Sequence, residues 1–202
     1  MSDLTSVGEL SALKRIPVEV LTGYGLRDIP GGGVHIDYLT PDGRPGRARH
    51  RWQVTGLTGS TFEEGDRPVT AYWRPESREF ARRRDTVLLT EGESTCWTLW
   101  YREFAAAGFP GAEQVDCLDA GHLAPASTAV IVAEWDDPDT YPDGVGDFVD
   151  RVVRRLAACG FGGTVKVLDL EPVAEDINAL HRADPERFEP VLLELISKAP
   201  TR

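Results

Sequence analysis

Beyond Asp85 the sequence alternates short apolar runs with longer segments of helical period, and no other feature narrows the fold as far. TVLLT (86–90), STAVIVAEW (127–135) and TVKVLDL (164–170) have the length and β-branched content of strands in a sheet covered on both faces. STCWTLWYREFAAAG (94–108) and VGDFVDRVVRRLAACG (145–160) carry helical spacing. The second places Val145, Phe148, Val149, Val152, Val153 and Leu156 on one stripe. EQVDCLD (113–119) is expected to form the remaining strand, and EDINALHRA and PERFEPVLLELISKA to close the chain as helices. Strands joined through helices run parallel, since a parallel neighbour is reached only by a long crossover. The expectation is an α/β fold, a mostly parallel, Rossmann-like four-stranded sheet with helices on both faces.

The first 84 residues read differently, as a small α+β subdomain preceding a second domain at 85–202. LTSVGELSALKRI and PVEVLTGYG suit short helices, IPGGG a joint, GLTGSTFEEGDRP a loop and PESREFARRR a helix. GVHIDYLTPDGRPGRARHRW is expected to form a β-hairpin about its PDG turn. Strand alternation then puts Arg47, Arg49 and Arg51 on one face, where like charges repel unless anions meet them.

With 41% hydrophobic and 27% charged residues in a chain of 202, the composition is that of a globular protein, and no run approaches the length of a membrane span. The start, MSDLTSVGEL, is acidic and lacks an apolar signal core, so a cytoplasmic location is expected. Cys96, Cys117 and Cys159 are too dispersed for a zinc knuckle or a disulfide framework. A net charge of -11 argues against a protein that coats nucleic acid by phosphate neutralisation alone. Yet Arg44, Arg47, Arg49, His50 and Arg51 cluster, as do Arg74, Arg78, Arg82, Arg83 and Arg84, while acids dominate beyond residue 112.

Those acids follow the ends of the expected strands. TVLLT runs into Glu91-Gly92-Glu93, VIVA into Glu134 and Asp136 with Asp137 and Asp139 close behind, and KVLDL into Glu171, Glu175 and Asp176. In open α/β sheets the C-terminal strand ends are where functional groups gather. A set of carboxylates without His or Cys is a hard-oxygen set, suited to Mg2+ or Mn2+.

Glu-Gly after an apolar strand, an acid-x-Asp pair after a later one, and Glu-Asp-Ile-Asn-Ala-Leu after the next together resemble a TOPRIM domain, the metal-binding module of bacterial-type DNA primases, topoisomerases and some nucleases. The resemblance spans about residues 85–182. LLTEGESTCWTLW is especially similar to primase-type proteins of phages, plasmids and other mobile elements, and the hairpin ending GRPGRARHRW resembles the basic strand pair upstream of TOPRIM in the primase core. The resemblance implies that Glu91 is a metal ligand or general acid-base, that Glu134 and Asp136 are the paired metal-binding acids, and that Asp176 is the last acid of the set. It implies that Arg47, Arg49 and Arg51 contact template. Two departures stand out. DPDTYP separates the acidic pair from Gly144, so that Asp137 and Asp139 offer an alternative register, and Glu175 occupies a position where the family usually has lysine.

The implied function is metal-dependent synthesis of short primers on single-stranded DNA from nucleotides. The sequence lacks a zinc module and a P-loop, so a separate zinc-bearing partner or helicase is expected with it, and no membrane. A TOPRIM nuclease and a catalytically degenerate nucleic-acid-binding protein are the alternatives.

Overall fold

The computed structural model describes residues 5–53, 59–133, 144–171 and 173–202, with 144–146 described by backbone alone. The chain divides into two compact units, 1–70 and 71–202.

In the first unit, helices α1 (Val7–Lys14) and α2 (Val18–Gly23) precede an antiparallel sheet of β1 (Leu26–Asp28), β2 (Val34–Ile36), β3 (Arg49–Arg51) and β4 (Ser60–Phe62), in that order. Ser6 and Glu9 form a capping box that starts α1 by satisfying otherwise unpaired N–H groups. The expected hairpin is β2–β3, closed by a turn in which Thr40 N–H donates to the Arg44 carbonyl and Gly43 takes φ +82°. β4 lies inside the segment expected to be loop. At three residues it is too short to show a periodicity.

The second unit opens with α3 (Ser77–Arg84) and is built on a parallel sheet. Its elements are β5 (Thr86–Glu91), α4 (Glu93–Tyr101), β6 (Ala106–Phe109), α5 (Ala120–Leu123), β7 (Thr128–Ala133), α6 (Gly144–Ala158), β8 (Thr164–Asp169), α7 (Ile177–Ala183) and α8 (Phe188–Lys198). The strand order is β6-β5-β7-β8, all pairs parallel. Val87, Leu89, Ala107, Ala129 and Ile131 cluster with Phe148, Val149, Val152 and Leu156 of α6, so the stripe read from the sequence faces this sheet. Each of the larger side chains among them, Val, Leu, Ile or Phe, contributes about 1.5–3 kcal/mol when fully buried. Thr90, on the alternate face, meets Cys96 of α4 (Oγ1–Sγ 3.4 Å), which sets that helix on the other side.

Two expectations fail around β6. The helix after Glu91 ends at Tyr101, not Gly108: Glu103 adopts φ +57°, and the wholly buried AAGF that follows is a strand. A short apolar run buried on both faces has no period to separate strand from helix. EQVDCLD is not a strand. It contains a 3₁₀ turn at Val115–Cys117, and Val115 and Leu118 are buried in an otherwise polar run.

Asp85 fixes how the sheet begins. It ends α3 at φ +53°, and its carboxylate accepts from the Ser127 N–H (2.8 Å) and the Ser127 hydroxyl, so β5 and β7 start side by side. These bonds hold its carboxyl below the usual range. Among the described residues no helix is long and apolar enough to cross a membrane.

His122, on α5, is 2% exposed and stacks edge-on to Trp73, with ring centroids 6.0 Å apart. Burial lowers its pKa from 6.5 to about 4. The unfolded chain therefore takes up a proton that the folded chain refuses. Its contribution is fully present above about pH 6.5 and is lost as pH falls toward 4. Urea denaturation at pH 7 and pH 5 should show a loss of stability about 2 kcal/mol smaller for His122→Asn than for the unaltered protein; equal losses would refute this role.

Candidate functional site

The registers of the parallel sheet bring three strand ends level. Leu89 pairs with Ile131, so two residues further Glu91 and Ala133 stand at one height; Ala133 pairs with Asp169, and Glu91 with Phe109. Glu91 ends β5 half-buried, and Asp169 ends β8 exposed. β7 is described as far as Ala133, the residue before Glu134. Glu134, Asp136, Asp137 and Asp139 lie outside the described residues.

The backbone around Glu91 is set by two glycines. Gly92 takes φ +81° and ψ 171°, a conformation closed to most side chains, and its N–H donates to the Phe109 carbonyl at 2.7 Å. A Cβ at Gly92 would meet nothing within 4 Å, so this side of the turn is open. A Cβ at Gly108 would lie 2.5 Å from the Gly92 carbonyl oxygen and 2.9 Å from Cys96 Sγ. Gly108 also exchanges backbone bonds of 2.7 and 2.9 Å with Tyr72. The turn after Glu91 is thus clamped against β6. Glu93 follows in the first turn of α4, buried at 4% exposure, where the helix dipole favours an acid.

Asp176 is the N-cap of α7. Its Oδ1 accepts from the Ala179 N–H at 2.5 Å and its Oδ2 from Asn178 Nδ2 at 3.3 Å. Asn178 Oδ1 in turn accepts from the Thr98 hydroxyl of α4 at 2.7 Å, in the buried interior. A chain of polar contacts therefore joins Asp176 to the helix that starts at the Glu91 turn. Asp169 was not singled out from the sequence, which pointed to Glu171. The clue was the β-branched TVKVLD run, whose strand ends at its first acid; Asp169 Oδ1 now accepts from the Glu171 N–H at 2.9 Å.

Trp97 and Trp100 are core residues, with their indole N–H groups donating to Tyr72 Oη (2.9 Å) and the Ala106 carbonyl (3.2 Å). Burial pushes the Cys117 thiol up to about 12, which leaves it unreactive at neutral pH.

The arginines separate into two groups. Arg49 and Arg51 share a face of β3 by alternation, both half-buried; the Arg49 guanidinium lies 5.5 Å from the Phe62 ring centroid, and Arg51 Nε donates to the Gln53 carbonyl at 3.1 Å. Arg47 precedes the strand and donates to the Arg67 carbonyl at 3.0 Å. Four of the later cluster are paired within their own unit, Arg82 and Arg83 with Glu79, Arg83 also with Glu103, Arg84 with Glu189, and Arg74 with Glu76, while the Arg78 guanidinium lies 5.2 Å from the Trp73 ring centroid. Among the described residues one group brings three metal-ligating atoms within 4.8 Å of one another, His35, His50 and Glu63 in the first unit.

No family model and no curated protein matches the sequence. Solved structures are similar in fold. The Escherichia coli primase catalytic core is 16% identical at a TM-score of 0.57, covering 91% of this chain and 60% of that one. The Aquifex aeolicus primase, zinc-binding and RNA polymerase domains, is 16% identical at 0.61, covering 100% and 51%. A DnaG primase catalytic domain bound to single-stranded DNA is 14% identical at 0.58, covering 98% and 74%. The chain thus spans between half and three-fifths of the first two, and its fold is that of DnaG-type primase catalytic cores.

The glycine clamp is open to test. Gly108→Ala should lower the free energy of unfolding by about 1–3 kcal/mol, read from the urea midpoint, because the Gly92 carbonyl is backbone and cannot step aside cheaply. Gly162→Ala, where a Cβ meets nothing within 4 Å, is the control expected to change little.

Proposed function

We propose that this chain is the catalytic core of a primase-type nucleotidyltransferase that makes short primers on single-stranded DNA, in the service of a phage or mobile element. The observation that carries the reading is the level set of strand ends beside the clamped Glu91-Gly92 turn, on a fold shared with primase catalytic cores. In this reading residues 1–84 are the primase-core-like N-terminal part and 85–202 the TOPRIM domain with its C-terminal helix.

Glu91, Glu134 and Asp136 would hold Mg2+ or Mn2+, with Asp176 as a further ligand and Asp137 and Asp139 as the alternative register. The donors fit such an ion by their chemistry, since every one is a carboxylate oxygen, as is Asp169 at the same sheet edge. A divalent ion there supplies neutralisation of the charge that builds on the phosphate oxygens during transfer. The chain's own contribution is orientation. The rigid turn holds the Glu91 carboxylate at the strand end, where it can accept a proton from an attacking hydroxyl. Arg47, Arg49 and Arg51 would contact the template backbone, which lets a chain of net charge -11 bind a polyanion locally. The DnaG domain solved with single-stranded DNA supports that choice of partner. A zinc-bearing primase partner or a helicase would supply template recognition and unwinding.

One observation favours a second reading, a nucleic-acid-binding protein without catalysis: both oxygens of Asp176 already accept hydrogen bonds, Oδ1 from the Ala179 N–H in capping α7 and Oδ2 from the Asn178 side-chain amide. The two readings separate in one assay. The protein is incubated with single-stranded DNA, labelled nucleotides and Mg2+ or Mn2+ beside Glu91→Gln, and all products are resolved on a denaturing gel. Primer synthesis predicts short labelled oligomers reduced at least about 100-fold in the variant, with template intact. Shortened template would indicate a nuclease, and retained DNA binding with no product the non-catalytic role.

A further inference from the structure

The antiparallel sheet holds a cluster that the proposed reaction does not use. His35 on β2 pairs directly with His50 on β3, and His50 pairs with Thr61 on β4. Glu63 follows two residues after Thr61 and Asp37 two after His35, so strand alternation returns both to the face of the two histidines. Arg49 and Arg51 occupy the opposite face of β3.

Three atoms converge there. His35 Nδ1 is 3.2 Å from His50 Nε2 and 3.1 Å from Glu63 Oε1, and His50 Nε2 is 3.0 Å from the same oxygen. Protons alone cannot satisfy this triangle. Each ring nitrogen carries at most one hydrogen and ceases to accept once it does, so at most two of the three edges are hydrogen bonds. An ion at the centre takes a lone pair from all three at once. Bonds of about 2.0–2.1 Å put tetrahedral ligand atoms roughly 3.3–3.4 Å apart and adjacent octahedral ones roughly 2.8–3.0 Å apart, and the observed edges fall between.

The surroundings match those of a metal-bound imidazole. His35 Nε2 lies 2.8 Å from Asp37 Oδ1, and Arg27 Nη1 holds that carboxylate at 3.0 and 3.1 Å. Donation of Nε2–H to Asp37 leaves the lone pair on Nδ1, toward the triangle, as a carboxylate behind a ligating histidine does. Arg27 Nη2 also stands 2.6 Å from Nε2. That contact is a hydrogen bond only in the other tautomer, with the proton on Nδ1 and donated to Glu63. Filling the triangle requires the first tautomer. His35 is 7% exposed, whereas His50 and Glu63 are half-buried, so the site opens to solvent on their side.

We propose that His35, His50 and Glu63 bind a borderline divalent ion of the Zn2+ class, with Asp37 and Arg27 as positioning residues. Two imidazoles and one carboxylate select zinc and its transition-metal neighbours over Mg2+. The site is independent of the carboxylates at the parallel-sheet edge, and it ties β2, β3 and the segment after β4 together on the face opposite Arg49 and Arg51.

The test uses the full chain stripped with a chelator and titrated with Zn2+ by calorimetry, with Co2+ as a spectroscopic stand-in. The expected result is one equivalent bound, with visible Co2+ bands of histidine ligation, and affinity at least about tenfold weaker in both His50→Gln and Glu63→Gln. Both positions are half-buried, and the urea midpoint of each metal-free variant reports whether it is folded. Glu91→Gln should bind Zn2+ unchanged, so failure of the primase reading leaves this result standing. No binding by the unaltered protein, or undiminished binding in both folded variants, would overturn the proposal.

Discussion

The backbone contact between Gly108 and the Gly92 carbonyl governs the acidic edge of the parallel sheet. Glu91 could end any strand, but its direction depends on the residue that turns the chain into α4, and that residue sits at φ +81° with β6 pressed against it. β6 approaches so closely because it carries no side chain at that point, and Tyr72 pins Gly108 from its other edge. The rest follows from parallel registers: with β5, β7 and β8 in step, strands that begin together at Asp85 and Ser127 also finish together. A level edge puts Glu91 and Asp169, far apart in sequence, at one height on the sheet.

The molecule treats its charges differently by location. Arg82, Arg83 and Arg84 of α3 are paired with glutamates of the same unit, most of these pairs exposed and individually worth little, so they shape packing and local neutrality more than affinity for an outside anion. The Arg84 guanidinium also lies 4.2 Å from the Phe104 ring centroid, a packing role for a charged group. Arg49 and Arg51 form a short basic row on β3. Local arrangement, not a net charge of -11, sets the potential at each part of the surface.

Legibility in the sequence tracked the strength of each periodicity. The α6 stripe and the β5, β7 and β8 runs are long and strongly patterned, and the structure places them as read. β6 escaped because AAGF is short, apolar and small, its sequence set by close packing against Gly92 and not by amphipathicity. β4 escaped because three residues carry no pattern. At the acidic edge the Glu-Gly turn was legible since glycine at a strand end is a backbone signal, whereas the capping role of Asp176 was not: an Asp before a helix reads equally as cap or ligand until its partners are seen.

The histidine triangle shows a different limit. His35 and His50 belong to no sequence motif, and His50 sits among arginines where it reads as one more basic residue. Only the antiparallel register makes them neighbours, and a one-residue slip of β3 would replace His50 opposite His35 with Arg49 or Arg51 and turn the imidazole to the other face. The same register therefore fixes both faces of the strand. Whatever holds His50 over His35 also holds Arg49 and Arg51 in their row, so an ion bound on one face would act on the basic row through the backbone, with no contact to it.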